Sequence, residues 1–273
     1  MTDKSSASGR KRPDFAIAKS ERAPRRETLA LLIVGIIALS GCVFSLTACT
    51  GLKIRRPANS YLIQGNEFFK RGEYDKAEKE YREALLSDAK NPTAMNNLGV
   101  ILNEQGRYDE AITVLREATA LDPKNSIAHY VLSEALAKKS RFDEAFQEAR
   151  TATAMDSSEP RAFCALAEAA LGKGDLNTAI EAYKSACQID STNDVTHHKL
   201  ALVLGLAGRP EDQIKEEEEA LEIEPENLDA RIGLVQALNA AGKKADALSE
   251  FTSLEKEHPD NQEVAALKKL LNK

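Results

Sequence analysis

Four cysteines and four histidines are the residues of this 273-residue chain that could bind a metal, act as a nucleophile or form a disulfide. Their spacing fits none of the short motifs of metal sites. The chain also has no Gly-rich phosphate loop, no Ser/His/Asp set and no unassigned segment large enough for a catalytic domain. We therefore expect a protein that is not an enzyme, with no cofactor, no metal and no small-molecule substrate.

Two of the cysteines, Cys42 and Cys49, lie in an uncharged segment near the N-terminus. No charged residue occurs between Thr28 and Leu52, and residues 29–39 are apolar throughout. A stretch of this length can cross a bilayer as one hydrophobic helix. The N-terminal part of the chain is accordingly divided into a disordered basic leader (1–28), a signal peptide or transmembrane anchor (29–51) and a basic linker (52–57).

The segments LSGC, ending at Cys42, and LTAC, ending at Cys49, both resemble the lipobox of bacterial lipoprotein signal peptides. The resemblance implies cleavage before the cysteine and attachment of a diacylglyceryl group to its sulfur. The apolar run of 11 residues that ends at Leu39, the first residue of LSGC, suits a signal peptide better than the 17 uncharged residues (29–45) before LTAC. Cys42 is thus the first candidate for lipid attachment and Cys49 the second. Whether lipoprotein or uncleaved anchor, the protein is expected to be bacterial and membrane-associated, with the remaining chain periplasmic or otherwise extracytoplasmic.

The remainder of the chain is acidic and has a helical composition. Residues 58–273 hold 26 basic and 39 acidic residues, a net charge of −13 that repels phosphate backbones. Only 5% of all residues are aromatic, while Ala, Leu, Glu and Lys are abundant. This composition favours helices over strands and argues against nucleic acid as a partner.

Beyond Pro57 the sequence repeats itself with a constant period. Blocks such as GEYDKAEKEYREAL and GRYDEAITVLREAT begin at Gly72, Gly106, Ser140, Gly174, Gly208 and Gly242. This pattern resembles the tetratricopeptide repeat family, whose unit is a 34-residue helical hairpin. The resemblance implies an all-α, right-handed α-solenoid, closed by an amphipathic capping helix at 262–273. Its six units are 58–91, 92–125, 126–159, 160–193, 194–227 and 228–261.

Small residues and prolines recur at fixed places in the repeat. Prolines at 123, 225 and 259 are expected to end second helices. Alanines are expected where two helices approach closely, so that a larger side chain would overpack the hairpin. They form two series, Ala77, Ala111, Ala145, Ala179 and Ala247, and Ala84, Ala118, Ala152, Ala186 and Ala220.

A few residues depart from the repeat pattern. Glu217 stands where other units have an apolar residue, and Gln213 where they have Ala, so this helix is expected to rotate or to lie partly exposed. His129 and His197 occupy a slot filled by aromatic residues in other units and are expected to pack rather than to bind ligands. Cys164 and Cys187 are expected to be free, inert thiols, because a disulfide would need a close Cα approach.

In the family that the repeats resemble, the ligand surface is the concave groove lined by the first helix of each unit. Here that groove is expected to be apolar and amide-rich with few charges, with Phe69 and Tyr130 as exposed aromatic anchors. The predicted groove residues are Leu62, Asn66, Phe69, Asn96, Val100, Asn103, Ile127, Tyr130, Glu134, Arg161, Cys164, Glu168, Leu171, Val195, His198, Leu202, Ile232, Gln236 and Asn239.

An apolar, amide-rich groove suits a protein or peptide partner that binds as an extended segment or a helix. Chaperone-binding members of the family hold a C-terminal carboxylate with basic residues. That function is rejected here, since Leu62, Ile127 and Val131 stand at positions where basic residues are needed. We expect a membrane-tethered scaffold of the cell envelope. Two alternatives stay open. Six repeats on a lipid anchor resemble the pilotin lipoproteins of type IV pilus systems, which help a secretin reach the outer membrane, and the protein could also be a cytoplasm-facing adaptor.

Overall fold

The computed structural model describes residues 56–271, which form helices joined by short turns. The leader, the apolar segment and the lipid-attachment candidates Cys42 and Cys49 lie outside these residues. Within the described part of the chain, no helix is long and apolar enough to cross a membrane. The thirteen helices of residues 56–271 are α1 (Ala58–Lys70), α2 (Tyr74–Ser87), α3 (Pro92–Glu104), α4 (Tyr108–Leu121), α5 (Ser126–Lys138), α6 (Phe142–Met155), α7 (Pro160–Gly172), α8 (Leu176–Ile189), α9 (Asp194–Leu206), α10 (Pro210–Ile223), α11 (Leu228–Ala240), α12 (Lys244–Glu257) and α13 (Gln262–Leu271).

The helices alternate between a first and a second helix of nearly equal length. Equivalent helices start at the same interval as the sequence repeat, as the first helices do at Pro92, Ser126 and Pro160. The period of the sequence repeat is therefore the period of a helical hairpin. The described part of the chain divides into two compact units, with the boundary between residues 89 and 90. In the first unit, α1 packs against α2. In the second unit, the second helix of each hairpin packs between the first helix of its own hairpin and the first helix that follows it, as α6 does between α5 and α7.

The turn inside each hairpin requires a left-handed backbone. Gly106 has φ +74°, and the other hairpin glycines have similar values. The amide of Arg107 donates to Leu102 O at 2.8 Å, and the amide of Gly106 donates to Asn103 O at 2.9 Å. These bonds satisfy carbonyls that the helix end would leave unpaired. In the third hairpin, Ser140 adopts the same conformation at φ 58°.

Four of the first helices begin at an asparagine cap. Asn91, Asn125, Asn193 and Asn227 each accept a hydrogen bond from the backbone N–H three residues later, which is an otherwise unpaired donor. The second helices α4, α10 and α12 end two residues before Pro123, Pro225 and Pro259, respectively, as expected of proline at a helix boundary.

The predicted close-packing sites are confirmed. Every alanine in both series is 1% exposed or less. At the C-terminus, α13 packs on α11 and α12 and buries Val264 and Leu267, so it covers the last hairpin as the repeat pattern predicts.

Candidate functional site

The first helices form one layer of the second unit. Contacts join α3 to α5, α5 to α7, and α9 to α11, and an ion pair between Glu168 and Lys199 joins α7 to α9. A surface running across several first helices results, and this is the surface on which the groove is predicted.

The predicted groove residues separate into two groups. The exposure of the two aromatic anchors was predicted wrongly, because Phe69 is 4% exposed and Tyr130 is 2% exposed. Phe69 packs on the ring of Tyr74, with centroids 5.6 Å apart, and the guanidinium of Arg161 covers the ring of Tyr130. Leu62, Asn96, Val100 and Ile232 are also buried, whereas the remaining predicted positions retain exposed surface: Asn66, Asn103, Ile127, Glu134, Arg161, Cys164, Glu168, Leu171, Val195, His198, Leu202, Gln236 and Asn239.

Arg161 connects two successive first helices. Its guanidinium lies 5.1 Å from the centroid of the Tyr130 ring, and its Nη2 lies 3.3 Å from Glu134 Oε1. Burial opposes the charged form of Arg161, but Glu134, Tyr130 and Glu159 together more than offset this, so the pKa of Arg161 is raised. Burial also raises the pKa of Glu134. The partners hold each other in one geometry, as guanidinium–carboxylate pairs do.

A pocket of about 300 Å³ opens beside this pair. It contains three carboxylates and two cations, so the expectation of few charges in the groove was wrong for this part of the surface. Glu168 is itself paired with Lys199 on α9. The pocket is lined by Asn103, Glu104, Tyr108, Glu134, Lys138, Arg161 and Glu168.

Asn103 lines the pocket, and only the nitrogen of its side-chain amide has a hydrogen-bond partner. Its Nδ2 donates to the carbonyl of Val131 at 2.9 Å, which ties α3 to α5. Its Oδ1 is buried without a hydrogen-bond partner. An unpaired buried acceptor costs stability, so a donor supplied here by a ligand would be favoured.

An apolar stripe lies on α9. Val195, Leu202 and Leu206 are 51%, 42% and 66% exposed. Their spacing of seven and four residues places them on one face of the helix. Leu206 was not among the predicted groove residues, although the same spacing in the sequence could have identified it.

His129 and His197 are buried in the helix-packing slot, as predicted, but each also forms a polar pair. His129 Nδ1 lies 2.6 Å from Glu148 Oε2, and His197 Nδ1 lies 2.8 Å from Glu216 Oε2. In the sixth repeat the same slot holds Arg231, 2.8 Å from Glu250. In all three cases the pair joins the same position of a first helix to the same position of its second helix. The bond to Glu148 is the main cause of the raised pKa of His129.

The expectation for Glu217 was wrong. Its helix, α10, neither rotates nor exposes the side chain, which is 0% exposed. His198 supplies the missing partner, with Nδ1 2.7 Å from Glu217 Oε2. Gly233 makes room for the carboxylate, since a Cβ there would lie 2.0 Å from Glu217 Oε1. Burial raises the pKa of Glu217, and His198 opposes that rise.

Cys164 and Cys187 are both free, as predicted. Burial raises the pKa of the Cys164 thiol to about 11, so this thiol is unreactive at neutral pH. Cys187 differs from it in lying close to His197 and Glu216. Sequence reasoning missed this cluster, because its members come from three helices and their spacing follows no short motif.

Known families were compared with the sequence. Tetratricopeptide repeat models match residues 64–126 and 104–160, 172–208, and 216–271, which together include most of the described hairpins. The chain belongs to the tetratricopeptide repeat family. A comparison with curated proteins found no match.

Solved tetratricopeptide repeat structures share the fold. The chain is similar to PilF of Pseudomonas aeruginosa, with a TM-score of 0.66 and 19% identity over 77% of this chain and 96% of that one. It is also similar to PilW, described as a widely conserved type IV pilus biogenesis factor, with a TM-score of 0.71 and 19% identity over 77% and 97%. YrrB, a repeat protein described as having an unusual peptide-binding site, has a TM-score of 0.51 and 19% identity over 62% and 88%.

Proposed function

We propose that this protein is a membrane-tethered, non-catalytic scaffold of the bacterial envelope, which binds a peptide or helix of a partner protein on the inner face of its first helices. The observation that carries the proposal is the continuous first-helix surface of the second unit, which has a polar pocket and a separate exposed apolar stripe. Peptide recognition commonly combines apolar side-chain burial with polar contacts that fix register.

The pocket residues support this proposal through their pairing. Arg161 and Glu168 are each held by a neighbouring first helix, so their positions are set before a partner arrives. Preorganised groups lose less side-chain entropy on binding than free ones. The stripe on α9 would contribute apolar area.

Site-specific photo-crosslinking tests where the partner binds. A photoreactive amino acid replaces Leu206 on α9 in one variant and Leu248 on α12 in the other, both in the full-length chain in native membranes. Both leucines are exposed, 66% and 56%, but Leu248 lies on a second helix. We expect a discrete crosslinked species from position 206 and none from position 248. The same species from position 248 alone, or none from either, would place the partner elsewhere.

The proposed membrane tether rests on the apolar segment at 29–51 and its two cysteines. The intact mass of the full-length protein extracted from membranes tests it. A chain that begins at Cys42 or Cys49 and carries a diacylglyceryl group supports a lipoprotein, and an unmodified chain that includes the segment supports a retained anchor. Recovery of the protein entirely from the soluble fraction would remove the tether from the proposal.

A second candidate function is assistance in type IV pilus or secretin assembly by a pilotin-like lipoprotein. The similarity to PilF and PilW over nearly their whole length favours it. Deletion of the gene should then abolish secretin multimers in the outer membrane, whereas normal multimers would exclude this function.

The third candidate is a cytoplasm-facing adaptor, which follows from the anchor alternative. Protease added to spheroplasts distinguishes the two orientations. Repeats that survive the protease support a cytoplasmic orientation, and repeats that are degraded exclude it.

A further inference from the structure

Three potential metal donors converge between the fourth and fifth repeats. Cys187 lies near the end of α8, His197 on α9 and Glu216 on α10. The sulfur, a ring nitrogen and a carboxylate oxygen lie within 4.8 Å of one another. A tetrahedral zinc site places its donor atoms about 2.0–2.3 Å from the metal. Donor atoms on one such ion lie roughly 3.3–3.8 Å apart. Binding would therefore need only small side-chain shifts, among them a lengthening of the 2.8 Å contact between His197 and Glu216.

His197 contacts both other residues of this cluster. The residue is 8% exposed, its Nδ1 faces Glu216, and its ring also contacts the Cys187 thiol, while its buried Nε2 has no nitrogen or oxygen partner. His129, at the equivalent position two repeats earlier, differs because its Nε2 lies 3.1 Å from the carbonyl of Pro123. Ser191 stands at the position equivalent to that proline, but its main-chain carbonyl does not pair with Nε2 of His197. The imidazole of the fifth repeat thus lacks this partner and has a sulfur nearby.

The donor chemistry selects a class of metal. A thiolate and an imidazole disfavour Mg²⁺ and Ca²⁺, which prefer oxygen donors, and together with one carboxylate they suit Zn²⁺ or Co²⁺. Cys187 is only 7% exposed, which leaves little access for a bulky substrate, whereas an ion can enter past the partly exposed carboxylate of Glu216. We propose that Cys187, His197 and Glu216 bind one zinc-class divalent ion, with the remaining coordination position available to water.

The proposed site would fasten α8 to the hairpin formed by α9 and α10. It is independent of the groove and of the membrane tether, so its success or failure does not bear on the proposed function. A metal that binds the folded chain and not the unfolded chain stabilises it by mass action. The expected consequence is a midpoint of thermal unfolding that rises with Zn²⁺ concentration.

Cobalt absorption and zinc content test the site in the full-length, tag-free chain after treatment with a chelator and a reductant. We expect one equivalent of bound Zn²⁺ and a thiolate-to-cobalt charge-transfer band in the near ultraviolet. Cys187→Ser should abolish the band, and His197→Phe should weaken cobalt binding at least about tenfold. The phenylalanine reproduces the residue found at this slot in the fourth repeat, Phe163, and so preserves packing.

Matched controls are provided by the chain itself. Cys164→Ser removes the other cysteine of the fourth repeat, and His129→Phe removes the equivalent histidine of the third repeat, where Thr119 stands in the position of Cys187. Both controls should retain the band and the zinc-dependent thermal shift. The proposal is overturned if the wild-type chain shows no band and no bound zinc, or if folded Cys187→Ser keeps both.

Discussion

At the scale of single residues, the clearest strain lies in Ser140. It adopts φ 58° at a turn where the other five hairpins have glycine at φ 70–78°. The left-handed conformation costs an L-residue about 1–2 kcal/mol, and glycine avoids that cost. The five glycine turns therefore show which residue would suit the turn at Ser140 better.

Ser140→Gly is predicted to stabilise the protein by about 1 kcal/mol, somewhat offset by the greater freedom of glycine in the unfolded chain. Gly106→Ser is the reverse control, and it should destabilise by a similar amount. No atom lies within 4 Å of a Cβ added at Gly106, so its cost would be conformational rather than steric. Urea denaturation of both variants measures the two changes, and equal stability of Ser140→Gly and wild type would contradict the interpretation.

His129 makes stability depend on pH. Its pKa is raised above 6.5 mainly by the hydrogen bond to Glu148, with further contributions from the Pro123 carbonyl and Asp122, while burial opposes the rise. A group whose pKa is raised on folding contributes stability that is fully present below its unfolded pKa. That contribution is lost as pH rises through the folded pKa.

His129→Phe isolates this contribution, because His197 and His198 titrate in both proteins. The free energy of unfolding of wild type minus that of the variant should be largest below the ordinary histidine pKa of about 6.5 and should shrink as the pH rises above it. Glu148→Gln removes the carboxylate that raises the pKa of His129. The free energy of unfolding of this variant should therefore depend less on pH than that of wild type. A wild-type-minus-variant difference that stays constant with pH would show that His129 does not titrate in this range.

At the scale of the helical element, the fifth repeat has a histidine–carboxylate pair at two positions that are apolar in the third repeat, with Glu217 fully buried and His198 partly exposed. The positions of His198 and Glu217 are occupied by Tyr130 and Ala149 in the third repeat, where both are buried. The hairpin geometry thus accommodates two chemically different solutions. A buried ion pair is costly to break but often adds little stability over an apolar pair of similar volume.

Replacing the pair by the third-repeat solution tests this account. His198→Ala alone leaves Glu217 buried without its partner and should destabilise by roughly 3 kcal/mol. The double variant His198→Tyr with Glu217→Ala should recover stability to within about 1 kcal/mol of wild type. Denaturation midpoints of the three proteins decide the matter. A double variant no more stable than His198→Ala would mean that the two slots are not equivalent.

At the scale of the whole molecule, the sequence was sufficient to predict the hairpin fold. The constant repeat period, the turn glycines and the alanine series all follow from the local geometry of the hairpin. That geometry is the same in every repeat, so the same residue types recur. Side-chain exposure was not predictable in the same way. Tyr130 occupies a groove position, but Arg161 of the next repeat covers it, and that contact depends on the identity of a residue in a different hairpin.

The polar clusters were hidden from the sequence for the same reason. Glu217 looked incompatible with a core until His198, on the preceding helix, was seen to pair with it. Cys187, His197 and Glu216 come together only because α8, α9 and α10 stack. Repeat position predicts which helix a residue lies on, whereas charge pairing depends on which residues neighbouring repeats happen to place opposite one another.

The central claim is that a partner protein binds the inner face of the first helices. Leu202→Asp combined with Leu206→Asp places two charges on the apolar stripe, and Leu248→Asp makes the matched change at an exposed leucine on a second helix. The partner identified by crosslinking is titrated against all three full-length proteins, with helix content checked for each. The account predicts a loss of affinity of at least about tenfold for the double variant and wild-type affinity for Leu248→Asp. Undiminished affinity of a folded double variant would contradict it.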